Sequence, residues 1–421
     1  MNSPAIRPLL LNSEDLRGGA ARAAYRLHLA LRAAGADSRM LVQVRHGDDE
    51  TVAGPGNRLV GRLRAAADLL PLLLYPRRSG ETFYPGWLPD ALARRIRRLD
   101  PDVVHLHWIT GGFLNVASLR RLRRPLLWTL HDMWAFTGGC HYDEGCGNYV
   151  AGCGRCPVLG SRSSADLSAT GWRRKQRSYL DLPLTVVTPS RWLGRLAAES
   201  PLLGRFPLRV IPNPIDTGTF APADKAAARR TLNLPADRRI VLFGALRATS
   251  ESRKGYRHLE PALRRLAATR PGLKPLAVVV GAERPARPPD FGMECVFAGT
   301  LSDDAALASL YAAADVLVAP STQENLSNAV LESLACGTPV AAFDIGGMPD
   351  MIEHQRNGYL ARPLDAEDMA HGLAWILEDE PRLRALSERA RAKVLEEFES
   401  AKIARQYLEL YEQSVKGDDH G

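Results

Sequence analysis

Val316-Leu317-Val318-Ala319-Pro320-Ser321-Thr322-Gln323-Glu324-Asn325-Leu326-Ser327-Asn328-Ala329-Val330-Leu331-Glu332-Ser333-Leu334-Ala335-Cys336-Gly337-Thr338-Pro339-Val340 carries a strand, a loop, a helix and the start of a second strand. The apolar runs Val316–Val318 and Val340–Phe343 read as buried strands, and a strand, a helix and a further strand in succession are the unit of a parallel sheet. Two glutamates stand eight positions apart in it. Glu324 falls in the loop just after the first strand, and Glu332 about two turns into the helix at 1.5 Å of rise per residue. Asn325 or Ser327 can cap that helix. Its first amides, with the Asn325-Leu326-Ser327 loop, then suit a diphosphate. A carboxylate farther along the helix can accept hydrogen bonds from adjacent ribose hydroxyls, and the loop glutamate is placed to reach a sugar beyond them.

The same alternation extends in both directions. Before the segment come strands at Ile240–Phe243, Leu276–Val280 and Cys295–Phe297, with helices at Leu259–Ala268 and Ala305–Ala314. A helical stretch, Pro381–Val415, ends the chain. The first half repeats the pattern at Pro8–Leu11, Ser38–Val44, Val103–Trp108, Leu126–Leu130, Leu184–Val187 and Leu208–Ile211. Between the two series lies Ile211-Pro212-Asn213-Pro214, whose prolines exclude a helix and mark a hinge. The fold expected is α/β: two doubly wound, Rossmann-like domains facing a central cleft. Residues 1–212 form the first domain, 213–395 the second, and 396–421 a helix returning to the first, followed by a polar tail. In open α/β sheets ligands bind beyond the carboxyl ends of strands, so functional residues are sought there.

Three further groups meet that criterion. Phe243-Gly244-Ala245-Leu246-Arg247 ends a strand, and Arg253-Lys254-Gly255 follows; Lys254 with Arg247 or Arg253 would neutralise a diphosphate and stabilise a departing nucleotide. Gly18-Gly19 follows the first strand and permits close approach of backbone to a ligand, or makes a simple turn. His131 stands just past an apolar strand, where an imidazole can hydrogen-bond a hydroxyl or stabilise charge. His105 and His107 share one strand face and read as satisfied core histidines.

Six cysteines are present. Cys295 and Cys336 sit in apolar runs and are expected in the core. Cys140, Cys146, Cys153 and Cys156 are spaced C-x5-C-x6-C-x2-C, and this spacing predicts a tetrahedral, structural zinc site stapling a long loop. An iron–sulfur cluster or two disulfides are the alternatives.

Glu324-x7-Glu332 followed by Leu334-Ala335-Cys336-Gly337-Thr338-Pro339-Val340, with Asp344-Ile345-Gly346-Gly347-Met348-Pro349-Asp350-Met351-Ile352 and Asn357-Gly358, resembles the signature of retaining glycosyltransferase family four, of GT-B fold. The resemblance covers nearly the whole chain. It implies transfer of a sugar from a nucleoside-diphosphate donor, UDP- or GDP-linked, to a glycan or lipid-linked acceptor with retained anomeric configuration and no catalytic cofactor. It implies that His131 contacts the donor sugar, and that Gly18-Gly19 belongs to the donor or acceptor loop. It departs at Ala245, where the family usually places an Arg. Gly139-Cys140-His141-Tyr142 and the cysteine spacing resemble an exopolysaccharide subgroup that includes colanic-acid-type enzymes, which implies surface polysaccharide assembly.

The formal net charge of +8 favours anionic partners, but no zinc-finger, RNP or basic heptad signature points to nucleic acid. No run approaches the roughly 20 apolar residues needed to span a bilayer, and no basic-then-apolar leader is visible, so a cytoplasmic protein is expected. Leu59–Tyr75 interleaves leucines with arginines, and Arg94–Arg98 and Arg121–Arg124 add positive charge; these segments suit either peripheral contact with an anionic membrane or packed helices with solvated faces. Asp100-Pro101-Asp102 precedes its strand, where a metal-holding Asp-x-Asp would follow one, so no catalytic metal is expected. The rival readings are a nucleotide-sugar epimerase and a zinc-stabilised protein binding glycan or polyanion.

Overall fold

The computed structural model describes residues 5–55, 58–244, 252–286, 288–301 and 303–418. The chain forms two compact units, one running to Pro214 and taking in the chain again from Ala401, the other Ile215–Ser400.

The first unit holds β1 (Pro8–Glu14), β2 (Arg39–Val44), β3 (Val52–Ala53), β4 (Val103–Leu106), β5 (Leu126–Thr129), β6 (Leu184–Thr188) and β7 (Leu208–Val210), all parallel in the order β3-β2-β1-β4-β5-β6-β7. Its helices are α1 (Gly19–Ala33), α2 (Arg58–Asp68), α3 (Leu92–Leu99), α4 (Leu167–Ser178) and α5 (Arg191–Glu199). Leu9 and Leu11 of β1 pair with Val104 and Leu106 of β4 and with Arg39 and Leu41 of β2. Leu9, Leu10 and Leu11 are all buried because both faces of a parallel sheet are covered.

The second unit holds β8 (Arg239–Gly244), β9 (Pro275–Val280), β10 (Cys295–Phe297), β11 (Val316–Ala319), β12 (Val340–Phe343) and β13 (Gly358–Ala361), again all parallel, in the order β10-β9-β8-β11-β12-β13. With it go α6 (Lys225–Thr231), α7 (Tyr256–Thr269), α8 (Asp304–Ala313), α9 (Asn328–Ala335), α10 (Met348–Met351), α11 (Ala366–Leu377) and α12 (Glu380–Glu397). In each sheet the strand order reverses beside the first strand, at β1/β4 and at β8/β11. These switch points are where a doubly wound sheet opens a crevice for a ligand.

Three expectations are corrected. The C-terminal helical stretch is broken: α12 stops before Phe398, and α13 (Ser400–Asp418) begins anew. At the break Phe398 O and Ser400 N both bond to the backbone of Ile215, and Phe398 is buried, so tertiary pairing outweighs helix propensity. The α13 residues Ile403, Ala404, Tyr407 and Tyr411 then join the core of the first unit with Leu10, Met40 and Leu127. Cys295 is only half-buried, since β10 is an edge strand; Cys336 is buried. Glu332 is the fifth residue of α9, little more than one turn in, because the helix starts at Asn328.

Asp315, just ahead of β11, is buried and accepts from Arg229 Nη2 at 2.7 Å, Lys225 Nζ at 2.9 Å and Ile240 N at 2.7 Å, tying α6 to β8 and β11. Removing one partner of a buried ion pair strands the other charge. Asp315→Ala is therefore expected to cost about 3–5 kcal/mol, read as a lower denaturant midpoint for the second unit.

Candidate functional site

The loop after β11 and the segment ahead of α7 are built against each other. Gly255 has φ +73°, and a Cβ there would stand 1.7 Å from Pro320 O, so only glycine lets the Arg253-Lys254-Gly255 turn lie on the β11 loop. Thr322 N donates to Arg253 O at 2.8 Å, sealing that contact. On the other side Gly346, at φ +54°, would place a Cβ 2.0 Å from Glu324 O, and Gly347 N donates to the same oxygen at 3.0 Å. The Glu324 backbone is thus clamped between two glycine-containing turns at the β8/β11 switch point.

Its side chain completes the cluster. Lys254 Nζ lies 2.7 Å from Glu324 Oε2 and Arg253 Nη1 lies 3.3 Å from it, while Arg253 also donates to Gln323 O at 3.1 Å. Glu324 is buried, and Asn325 N donates to Oε1 at 3.3 Å. Burial alone would raise its pKa; the charges of Lys254 and Arg253, with their hydrogen bonds, outweigh it and hold the carboxyl at about 2. A depressed carboxyl contributes stability that is present above its ordinary value of 4.5 and is lost as the pH falls towards 2. Across the neutral range the cluster is two cations around one carboxylate.

Beyond this cluster begins α9. Ser327 occupies the cap position in extended conformation but makes no side-chain cap bond, so the helix's first amides are not capped by it. Asn325 and Leu326 are buried in the loop that leads in. Glu332 is buried and accepts from Tyr311 Oη at 3.0 Å. Tyr311 comes from α8 and was not expected; nothing in the local sequence links it to a glutamate 21 positions on. Arg247, expected to meet the phosphates, and Ala245 lie outside the described residues.

In the first unit Gly18, at φ +91°, caps α1 and Gly19 is its first residue; among the described residues beyond its chain neighbours, none comes within 4 Å of a Cβ placed on Gly18. At the carboxyl ends of β4 and β5 three imidazoles form a column. His105 bonds Tyr411 Oη at 2.7 Å and Thr129 Oγ1 at 2.8 Å, as a core histidine does. His107 Nδ1 lies 3.0 Å from His131 Nε2, and the two rings stack with centroids 5.3 Å apart. His107 Nε2 is buried with no hydrogen-bond partner among the described residues. Asp132 accepts from Trp108 Nε1 at 2.9 Å, Trp134 N at 2.8 Å and His141 Nδ1 at 2.6 Å. Sequence reasoning found His131 but missed Trp108, Asp132 and His141, although Trp108 and Asp132 also follow strand ends.

Burial, then repulsion from neighbouring imidazoles, depresses this column. His105 is pushed down to about 3 and His107 well below 6.5, while burial holds His131 at about 4 against the opposing Asp132 charge. The unfolded chain takes up these protons near 6.5 and the folded one resists, so this stability is complete above 6.5 and drains as the pH falls to about 4. Unfolding free energy, and with it the melting temperature, is expected to fall as the pH drops from 6.5 to 5, at a slope approaching about 1.4 kcal/mol per proton per pH unit. His107→Asn is expected to flatten that dependence, which thermal melts across the pH series would read.

The four clustered cysteines line one small cavity with Thr137, Asp143 and Tyr149, and all are free thiols. Among the described residues no group of three or more His, Cys, Asp or Glu is placed to hold a metal ion, so the expected zinc staple is not supported. Burial pushes the Cys153 thiol up to about 12 and Cys140 well above its ordinary value. Hydrogen bonds order the loop: Asp143 accepts from Gly145 N and Gly147 N at 3.0 Å, Trp172 Nε1 donates to Tyr149 O at 2.8 Å, and the buried Lys175 Nζ donates to Thr137 O at 3.0 Å and to Trp134 O.

Two doubly wound parallel sheets, the second with a carboxylate and paired cations at its switch point, define a protein of the GT-B class. Residues 17–219 match the family model described as Glycosyltransferase Family 4, and residues 237–379 the model described as Glycosyl transferases group 1. The chain is 31% identical over 328 residues to a D-inositol 3-phosphate glycosyltransferase of Thermobispora bispora, covering 74% of this chain and 71% of that protein. It is 30% identical over 247 residues to WcaC of Escherichia coli (strain K12), a colanic acid biosynthesis glycosyl transferase, covering 54% of this chain and 59% of that one. Its fold is shared with Anabaena HepE in complex with UDP-glucose, with a TM-score of 0.67 at 16% identity over 97% of this chain and 100% of that one. The chain belongs to the family-four, group 1 glycosyltransferases and is a glycosyltransferase.

Proposed function

We propose that the protein transfers a sugar from a UDP- or GDP-linked donor to a glycan or lipid-linked acceptor in surface polysaccharide assembly, with retention at the anomeric carbon. The observation that carries the donor half is the Lys254–Glu324–Arg253 cluster at the β8/β11 switch point. In this reading the α9 amides and the two cations receive the diphosphate, and Glu332 accepts from the ribose hydroxyls. Glu324 receives a hydroxyl of the donor sugar while holding Lys254 and Arg253 in place. For His131 we propose a hydrogen bond from its neutral imidazole to a sugar hydroxyl.

In the step itself the bond from the anomeric carbon to the β-phosphate oxygen breaks, and the acceptor oxygen bonds the same face of that carbon. The acceptor proton goes to the leaving phosphate. The cations lower the cost of the charge that gathers on the diphosphate, an electrostatic contribution available without any proton donor of the protein. Similarity to WcaC supports the polysaccharide setting, and the UDP-glucose held by HepE makes UDP-sugars the first donors to test.

The test is to incubate the protein with UDP- and GDP-sugars, with and without glycan and lipid-diphosphate acceptors, and to follow nucleotide release and the anomeric signal of the product by NMR. Acceptor-dependent release with an anomer matching the donor supports the reading. Interconversion of free nucleotide sugars without an acceptor would instead establish an epimerase, and inversion would overturn the mechanism.

A further inference from the structure

His107 is held rigidly where β4 ends. Its backbone N donates to Leu11 O at 2.9 Å, and its carbonyl accepts from Trp128 Nε1 at 3.0 Å. The ring lies between two other imidazoles, with centroids 4.2 Å from His105 and 5.3 Å from His131. His105 is tied at both nitrogens, to Tyr411 Oη of α13 and to Thr129 Oγ1 of β5, so it backs the column from the core. His107 is 3% exposed and has little room to turn, whereas His131 at the outer end is half-buried.

The two nitrogens of His107 have different surroundings. Nδ1 lies 3.0 Å from His131 Nε2, while Nε2 is buried with no partner among the described residues. Burial holds both rings neutral across the neutral range. A neutral imidazole carries one N–H and one lone pair, so a single proton lies between the rings and it can belong to either. If His131 Nε2–H donates, the His107 proton must sit on Nε2, where the N–H is buried with nothing to receive it. If His107 Nδ1–H donates, only a lone pair remains at His107 Nε2. Buried N–H groups without an acceptor are rarer in folded proteins than under-used acceptors, and the second arrangement avoids one.

In that arrangement the His131 Nε2 lone pair is engaged by His107, and the His131 proton sits on Nδ1. A ring in this state can donate a hydrogen bond but has no lone pair with which to take up a proton. We propose that His107 is a positioning residue that locks His131 as the Nδ1–H tautomer, making it a hydrogen-bond donor to the donor sugar and barring it from acting as a base. The role toward the sugar rests on the contact proposed above for His131; the tautomer lock rests on the His107 geometry alone. A His131 that cannot accept a proton agrees with a transfer in which the acceptor proton leaves with the phosphate.

The test is NMR of the full chain labelled with ¹⁵N-histidine at pH 8, correlating ring nitrogens with carbon-bound ring protons, with the His131 signals assigned by their loss in His131→Ala. A protonated Nδ1 and a bare Nε2 on His131 are expected, and the opposite pattern overturns the lock. His107→Leu removes the N–H at similar bulk. It is expected to let His131 sample both tautomers and to lower kcat/KM on the order of tenfold, the worth of one hydrogen bond, for whichever of UDP-glucose, UDP-galactose and GDP-mannose the parent turns over fastest. Affinity for the product nucleoside diphosphate, which carries no sugar, should be unchanged and reports that the variant is folded. His107→Asn places an amide N–H near the Nδ1 position and is expected to restore the His131 tautomer and recover most of the rate. Packing alone would favour leucine over asparagine at this buried position, so parent-like kcat/KM in His107→Leu, or a slower His107→Asn, overturns the positioning role. Parent-like kcat/KM in His131→Ala with the expected tautomer would instead strike the sugar contact and leave the lock standing.

Discussion

Glu324→Gln is expected to lower kcat on the order of 10²–10³-fold, the range seen when one preorganised electrostatic contact is removed, while leaving nucleoside diphosphate affinity equal or tighter. The wild-type cluster sets two cations against one carboxylate, with Lys254 Nζ at 2.7 Å and Arg253 Nη1 at 3.3 Å. The amide keeps the shape and can still accept from Lys254. It removes the negative charge, so both cations face an incoming diphosphate uncompensated. It also weakens the proposed hold on a sugar hydroxyl and lets the Lys254 ammonium drift. Tighter product nucleotide with slower turnover is a combination that misfolding would not give. Initial rates and isothermal titration with the nucleoside diphosphate separate the two.

Lys254→Ala is expected to act in the opposite sense on binding. It removes a point charge from the proposed diphosphate position and leaves Glu324 with Arg253 alone. A fall in kcat/KM on the order of 10²–10³-fold is expected, with nucleoside diphosphate affinity weakened and affinity for the bare nucleoside little changed, because the proposed ribose partner, Glu332, lies elsewhere, against Tyr311. Equal loss of nucleoside and nucleoside diphosphate affinity would count against a phosphate role for Lys254. Glu324 and Lys254 are the two ends of one ion pair, so the effects of Glu324→Gln and Lys254→Ala should not add in the double variant.

Much of the fold is legible in the sequence because buried parallel strands are near-continuous apolar runs. Val316–Ala319, Val340–Phe343 and Pro275–Val280 could scarcely be anything else. What the sequence hides is set by partners distant in the chain. The break after α12 depends on Ile215, more than 180 positions earlier. The Tyr311–Glu332 bond and the His107–His131 contact join separate elements with no local signature. Gly346 is readable as part of a familiar run, but its use, clearing room for Glu324 O, emerges only when two loops meet. Cysteine spacing is legible only in part. It registers four thiols within reach of one another, and it is silent on how Asp143, Trp172 and Lys175 already order the loop through hydrogen bonds. On α2, periodicity reveals an apolar stripe but not its direction, which Gly61 and Gln43 decide.

The most direct test of the donor-site assignment is calorimetric titration of UDP, GDP and ADP into the parent protein and into Glu332→Ala. One nucleotide should bind in clear preference to the others. The variant should lose on the order of 10-fold to 100-fold of that affinity, as expected for hydrogen bonds from sugar hydroxyls to a charged acceptor. Absence of binding by all three, or undiminished binding by Glu332→Ala, would contradict the placement of a nucleotide-sugar at the β8/β11 switch point.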